Sequence, residues 1–158
     1  MSKGKHGYEA RLVWDGNGGD GTSDYRTYGR QHRVMVPGKP TLDLTADPAF
    51  RGDPARHDPE DLLLAALSSC HLLSYLALCA KHRISVVAYE DHASGTMQED
   101  HRGGGRFTEV VLRPRVALAP GTSDANLARA LALHERAHEL CFIAASCNFP
   151  IRHEPEVR

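Results

Sequence analysis

Two cysteines, Cys70 and Cys141, are the residues of this chain best suited to chemistry. Each lies in a stretch with helical periodicity, and about seventy residues separate them. A cysteine thiolate attacks a peroxide more readily than any other side chain, and a second cysteine can then close a disulfide. The pair therefore indicates thiol redox chemistry. The alternative is that Cys70, in an apolar helix, is a small core residue, as free cysteines often are.

Glu60 lies on the same predicted helix as Cys70, ten residues before it. Ten residues of helix span about 15 Å, which a glutamate side chain cannot bridge. If both residues serve one site, they must come from two copies of the helix, antiparallel at the two-fold axis of a homodimer. The alternative is that Glu60 is an acid in the first turn that interacts favourably with the helix dipole.

A second chemical possibility is metal binding by His134, His138 and Cys141, whose spacings of four and three put them on one helix face. With a fourth ligand such as Cys70, they could hold zinc or another soft metal. The same residues could instead form a histidine face toward solvent or an interface. Cys147 follows the predicted helix end, and it is either a second candidate for the resolving thiol or a core residue.

Composition argues against a nucleic-acid-binding, a membrane-spanning or a secreted protein. The chain has 158 residues, a formal net charge of -1 and no basic run, which argues against a nucleic-acid partner. No apolar run approaches the roughly 18 to 20 residues that cross a bilayer, and the polar N-terminus lacks the apolar core of a signal peptide. We therefore expect a cytoplasmic protein, where paired cysteines are more often catalytic, redox-active or metal-bound than structural.

The elements that position these residues follow the order β-β-α-β-β-α-β, which predicts a single α+β domain over residues 1–158. The predicted bounds are an N-terminal hairpin at about 8–36, irregular chain at about 41–57, a central helix at about 59–83, a β-hairpin at about 84–118, a second helix at about 124–145 and a C-terminal strand at about 151–157. Asp58 is a good N-cap and Pro59 suits the first helical position. The central helix is apolar in nearly every direction, which predicts burial on all sides by sheets and a partner subunit.

Two segments resemble the OsmC/Ohr family of organic hydroperoxide reductases. Residues 58–70, DPEDLLLAALSSC, resemble the N-P-E-E/Q-L helix of the family with its cysteine, and residues 137–141, AHELC, resemble its A-H-x-x-C segment. The order of elements also agrees. Asp58 replaces the usual asparagine cap, and Phe142 replaces the usual proline after the second cysteine.

The resemblance implies an OsmC-like fold, in which antiparallel sheets wrap around a central buried helix in an intertwined homodimer. It further implies that Cys70 is the peroxidatic cysteine and Cys141 the resolving one. The implied activity is a thiol-dependent peroxidase that reduces organic hydroperoxides to alcohols, with a dithiol reductant of the lipoyl-linked kind and no cofactor or metal. A ligand-binding or redox-sensing dimer without turnover is the alternative on the same fold.

An Arg–Glu pair that holds the thiolate and the substrate oxygen is also implied by the resemblance. Glu60 matches the glutamate of this pair. Arg51, nine residues earlier, resembles the arginine position of the OsmC branch, whereas Arg30 or Arg26 could match the position used in the Ohr branch. We take Arg51 as the predicted arginine.

Overall fold

The structure, a computed structural model, describes residues 4–158 and has an α+β fold, as the sequence predicts. In chain order the elements are β1 (Arg11–Trp14), β2 (His32–Met35), β3 (Leu42–Leu44), a one-turn 3-10 helix (Pro48–Phe50), α1 (Pro59–Lys81), β4 (Val86–Asp91), β5 (Ser94–Glu99), β6 (Gly105–Leu112), β7 (Pro114–Leu118), α2 (Asp124–Leu140), α3 (Phe142–Ala145), β8 (Ile151–His153) and β9 (Glu156–Val157). The chain divides into an N-terminal unit ending at Leu62 and a C-terminal unit, Leu63–Arg158.

The N-terminal unit contains one antiparallel sheet in the order β1-β2-β3. The predicted hairpin corresponds to β1 and β2, and the stretch predicted to be irregular supplies β3 and the 3-10 helix. The long loop between β1 and β2 is closed by the Trp14 indole, which donates to the Gly29 carbonyl at 2.9 Å. A Cβ at Gly16 would lie 1.9 Å from that same oxygen, so the loop requires glycine there.

Helix α1 begins at Pro59, as predicted, because the Asp58 carboxylate accepts a hydrogen bond from the Asp61 N–H at 2.8 Å. It ends at Lys81, two residues before the predicted end, where Arg83 turns into the left-handed region with φ 58°. Within one chain only one face of α1 is buried, at Leu67, His71, Tyr75, Leu78 and Cys79. The opposite face is exposed, at Ala65, Ser69, Leu73, Ala77 and Ala80. A single chain therefore covers half of this apolar helix.

The C-terminal unit contains two three-stranded sheets, in the orders β4-β7-β9 and β5-β6-β8. The predicted β-hairpin is present as the antiparallel pairs β4-β7 and β5-β6, with each long strand broken in two. The predicted C-terminal strand is present as two short strands, of which β8 lies parallel to β6 and β9 parallel to β7. The reason is that α2 carries the chain back across the unit, and such a crossover allows a parallel pair.

Two apolar clusters form the core of the C-terminal unit. The first joins α1, α2 and the β4-β7-β9 sheet through Tyr75, Leu78, Cys79, Ile84, Val116, Leu118, Ala130, Leu133 and Ala137. The second lies under β6, around Leu67, Val110 and Leu112. Because Tyr75 of α1 and Ala137 of α2 belong to the same cluster, the two helices that lead to the cysteines share one packed interface.

Helix α1 is long and apolar enough to cross a membrane, judged by length and composition alone. The sequence expectation that the chain has no such run is therefore wrong. A core helix passes the same test, and α1 places side chains in both apolar clusters, Tyr75 in the first and Leu67 in the second.

Candidate active site

Cys70 and Cys141 meet inside the C-terminal unit. Cys70 lies in the middle of α1, and Cys141 is the residue between α2 and α3. The Cys70 side chain is close enough to Cys141 to raise the pKa of the Cys141 thiol, and both are free thiols. The structure thus brings together the two cysteines that the sequence singled out, from segments far apart in the chain.

The two thiols have unequal surroundings. Cys141 is 1% exposed, whereas Cys70 is half-buried. Burial raises the pKa of Cys141 to about 11, and the neighbouring Cys70 thiol acts in the same direction. The Ala144 N–H, which lies 3.4 Å from the Cys141 sulfur, opposes this effect only in part. Cys141 therefore keeps its proton at neutral pH, and Cys70 is the more exposed of the two thiols.

Cys147 does not join this pair. Its half-buried side chain packs against the second apolar cluster, among partners that include Phe149 and Ile151. Burial raises the pKa of the Cys147 thiol. Cys79, expected to be a core residue, is fully buried in the first cluster. Neither thiol competes with Cys141 for Cys70 in this arrangement.

A buried pair of histidines lies on the same two helices and was not expected from the sequence. His71 Nε2 and His134 Nδ1 are 3.0 Å apart, and the two side chains are 1% and 0% exposed. The Tyr75 ring stacks on the His134 ring with centroids 3.8 Å apart. Burial lowers the pKa of His71 to about 4 and that of His134 to about 3, so both imidazoles are neutral near pH 7.

The structure does not bring His134, His138 and Cys141 into a metal-binding arrangement. The His134 ring is hydrogen bonded to His71, and the Cys141 thiol lies beside Cys70. The His138 ring faces that of His153, with centroids 5.5 Å apart. Across residues 4–158, no three His, Cys, Asp or Glu side chains converge as metal ligands would. This geometry does not support the alternative of a metal-binding protein.

Glu60 lies in the N-terminal unit, where it lines a cavity of about 310 Å³. Aromatic and basic side chains share this lining, among them Trp14, Tyr28, Arg30, His32 and Phe50. The Arg30 guanidinium lies over the rings of Tyr25 and Tyr28, 4.5 and 3.9 Å from their centroids, and donates to the carbonyls of the same two residues. These contacts hold Arg30 rigidly in place.

Arg51 lies in a loop whose backbone is unusual. It follows the 3-10 helix with φ 69°, the left-handed region that a side chain disfavours. The next residue, Gly52, could not be larger, because a Cβ there would lie 1.5 Å from the Ala46 carbonyl oxygen. The exposed Arg51 guanidinium makes one hydrogen bond, to the Arg26 carbonyl at 3.2 Å, and Arg26 itself pairs with Asp24 at 3.3 Å.

The expected Arg–Glu pair is not formed within one chain. The ion pairs found in residues 4–158 involve neither Glu60 nor Arg51 nor Arg30. Among the three candidate arginines, Arg30 lines the same cavity as Glu60, whereas Arg26 already has a carboxylate partner.

Comparison with known proteins places this geometry in a family. The model of the OsmC-like protein family matches residues 52–156. An OsmC-like protein of unknown function from Vibrio cholerae is 33% identical, with a TM-score of 0.85 over 96% of this chain and 100% of that one. The chain belongs to the OsmC-like family. Among curated proteins, no sequence matches this OsmC-like chain.

Organic hydroperoxide resistance proteins are also similar in structure to this OsmC-like protein. The one from Legionella pneumophila is 18% identical with a TM-score of 0.70, over 98% of each chain. The one from Elizabethkingia anophelis is 19% identical with a TM-score of 0.68, over 98% of this chain and 97% of that one. At such identities the similarity shows a common fold.

The histidine pair is the part of this OsmC-like protein's site that sequence reasoning missed. A signal was present, because His71 falls on the same helical face as Leu67, Tyr75 and Leu78, all of which are buried. A histidine on the buried face of an apolar helix requires a partner, and the spacing along α2 made His134 available.

Proposed function

We propose that this OsmC-like protein is a thiol-dependent peroxidase that reduces organic hydroperoxides to alcohols. The observation that carries the proposal is the close approach of Cys70 and Cys141, with Cys70 half-buried and Cys141 buried and protonated. A nucleophile beside a protonated second thiol is the arrangement that a two-cysteine peroxide reduction needs. Membership of a family with relatives named for organic hydroperoxide resistance supports the same activity.

In the first step the Cys70 thiolate attacks the terminal oxygen of ROOH. The S–O bond forms while the O–O bond breaks, and the leaving alkoxide takes up a proton and departs as ROH. Cys70 is now a sulfenic acid. A cation near the sulfur stabilises the thiolate and orients the peroxide oxygens.

In the second step the Cys141 sulfur attacks the sulfenic sulfur. The S–S bond forms, the S–O bond breaks, and the proton of Cys141 leaves with the hydroxyl group as water. A dithiol then reduces the disulfide by exchange and is itself oxidised, and a lipoyl-linked dithiol is the reductant we propose. Since both thiols must start reduced, we assign the protein to a reducing compartment such as the cytoplasm.

We assign the cation to Arg51. Its left-handed backbone costs stability that a glycine would not, and such strain is concentrated at functional sites. Its guanidinium is exposed and held by a single hydrogen bond to a carbonyl, so it can still bind a carboxylate and a peroxide. The alternative, Arg30, is already fixed between two tyrosine rings and two carbonyls.

A homodimer completes this proposal, because Glu60 and Cys70 are about 15 Å apart along α1. An antiparallel pair of α1 helices that sets Glu60 of one copy level with Cys70 of the other has its two-fold axis level with Ala65, midway between them. Ala65 is exposed and small, which allows two helix backbones to approach closely. The exposed Leu73 lies on the same face and would be covered by the second copy.

Mass spectrometry after one equivalent of cumene hydroperoxide tests the proposal. We expect a Cys70–Cys141 disulfide in the unchanged protein, a stable Cys70 sulfenic acid and a single turnover in Cys141→Ser, and no reaction in Cys70→Ser. Cys147→Ser is the matched control, since it removes a half-buried thiol outside the pair, and it should keep full turnover with a dithiol. Full turnover by Cys70→Ser contradicts the mechanism, and disulfide formation without turnover in excess dithiol identifies a redox sensor instead.

A further inference from the structure

We propose that the hydrogen bond between His71 and His134 is a positioning device, which fixes α1 against α2 so that the sulfurs of Cys70 and Cys141 meet. The inference rests on the proposed disulfide chemistry of those cysteines. It assigns to the histidines a role in geometry and not contact with substrate.

The first support is the place of each histidine in the chain. His71 directly follows Cys70 on α1, and His134 lies seven residues, or about two helical turns, before Cys141 on α2. Each helix is rigid over one or two turns. A displacement of one histidine along the helix axis relative to the other therefore displaces the two sulfurs by nearly the same amount.

The second support is the nature of the remaining contact between the two helices. Their interface in the first apolar cluster consists of side chains such as Leu78, Leu133 and Ala137, and apolar contacts have no direction. In the part of the chain that the structure describes, His71–His134 is the only hydrogen bond between side chains of α1 and α2. Together with the stack of the Tyr75 ring on the His134 ring, it gives this interface a directional contact that apolar packing lacks.

The third support is that the buried histidine pair stabilises the fold less than apolar side chains would at the same positions. His71 Nδ1 and His134 Nε2 are buried without a hydrogen-bond partner in the protein. Whichever tautomer is present, the pair leaves one N–H donor and one nitrogen lone pair unsatisfied, which is unfavourable in a core. Apolar side chains of similar volume would avoid this, and a buried polar pair that persists despite its cost is best attested as a device that sets register.

The cysteines are sensitive to such register. A disulfide requires Cα atoms roughly 4.4 to 6.8 Å apart and a narrow range of dihedral angles. Misplacement of reacting groups by about 1 Å costs up to about a hundredfold in rate. A pair of helices free to slide by a fraction of a turn would separate the sulfurs often enough to slow closure.

The test measures two quantities for each variant: the free energy of unfolding and the effective concentration of the two cysteines for disulfide formation. The effective concentration of Cys70 and Cys141 is measured by equilibrium with reduced and oxidised dithiothreitol, and stability by urea unfolding of the reduced protein. For His71→Leu/His134→Leu we expect unchanged or higher stability, but an effective concentration at least about tenfold lower. Tyr75→Phe is the control, because it removes a buried hydroxyl from the same cluster and leaves the histidine bond in place; it should not change the effective concentration.

A conservative rescue separates positioning from packing. In His71→Gln/His134→Asn the two amides occupy the places of Nε2 and Nδ1, so the bond between the helices is retained, and we expect an effective concentration within about threefold of the original. His71→Gln/His134→Leu lacks the bond and should show the loss. An unchanged effective concentration in both double variants with leucine overturns the inference. Failure of the unchanged protein to form the disulfide at all would instead overturn the proposed function.

Discussion

Acidification should destabilise this protein through its two buried histidines. His71 and His134 have pKa values of about 4 and about 3 in the folded chain, chiefly because of burial, against an ordinary value of 6.5. Below pH 6.5 these histidines bind protons in the unfolded chain but stay neutral in the folded chain. The free energy of unfolding is therefore highest above pH 6.5 and decreases as the pH falls toward the folded pKa values. The charged and titratable groups near the pair are His138, His153 and Asp91, of which only Asp91 favours protonation.

The magnitude follows from the pKa differences. At about pH 5 nearly all unfolded molecules carry a proton on each imidazole, whereas few folded molecules do, so each histidine contributes about 2 kcal/mol of destabilisation between about pH 7.5 and pH 5. The pair together should lower the free energy of unfolding by about 4 kcal/mol, a large part of the roughly 5 to 15 kcal/mol that holds a typical domain folded. His153, whose pKa is lowered by burial against the opposing effect of Glu135, adds to the loss in the same direction.

Urea unfolding at fixed protein concentration, repeated across this pH range, measures the effect. His71→Leu/His134→Leu is the reference, because it removes both titrating groups and keeps every carboxylate. The difference between the two curves should be nearly flat above about pH 7 and then fall by about 2.7 kcal/mol per pH unit below about pH 6, two protons at 1.36 each. Parallel curves for the two proteins would refute the reasoning, since they would mean that the buried imidazoles do not titrate differently in the folded chain.

Three further changes test the fold and the proposed site. Leu73→Asp should convert the dimer to a monomer in sedimentation while leaving the single chain folded, because Leu73 is 64% exposed; an unaltered dimer contradicts the proposed pairing. Arg51→Gly should unfold no more easily than the original, since it relieves a left-handed residue at about 1 kcal/mol, yet lose at least about tenfold in peroxide turnover; equal turnover removes Arg51 from the site. Gly52→Ala should lose about 1 to 3 kcal/mol in urea unfolding, with Gly18→Ala, where nothing lies within 4 Å of the added Cβ, as the unaffected control.

Local signals in the sequence predicted the first residue of a helix better than the length of a strand. The Asp58-Pro59 start of α1 depends on residues next to each other, and the structure has it at that position. The long strands of the β-hairpin are broken near Asp91, whose carboxylate accepts hydrogen bonds from the Ser68 hydroxyl at 2.5 Å and the Arg113 N–H at 2.6 Å. Such contacts join residues more than twenty positions apart, and no local pattern reveals them.

The same limit applied to the site: residue types and local spacing were predictable, but contacts between elements were not. Cys70 and Cys141 were recognisable from residue type and resemblance, and the structure brings them together. Helical spacing correctly placed His134 and His138 near one another on α2, but it could not show that His134 turns to His71 on the other helix. The partner of a buried polar group is set by packing between elements, and for that reason spacing along one helix could not reveal the partner of His134.

Under the proposed mechanism, the unequal burial of Cys70 and Cys141 decides how their disulfide is reduced. An incoming thiolate reaches the half-buried Cys70 sulfur and not the enclosed Cys141, so the mixed disulfide forms on α1. Cys141 must then depart as a thiolate with a strong affinity for protons, which makes it a slow leaving group. Because it stays beside Cys70, it can attack the mixed disulfide again. A monothiol bound to Cys70 would be displaced when Cys141 attacks the mixed disulfide again. In a dithiol, the second sulfur attacks the mixed disulfide first, and the reductant leaves as a cyclic disulfide.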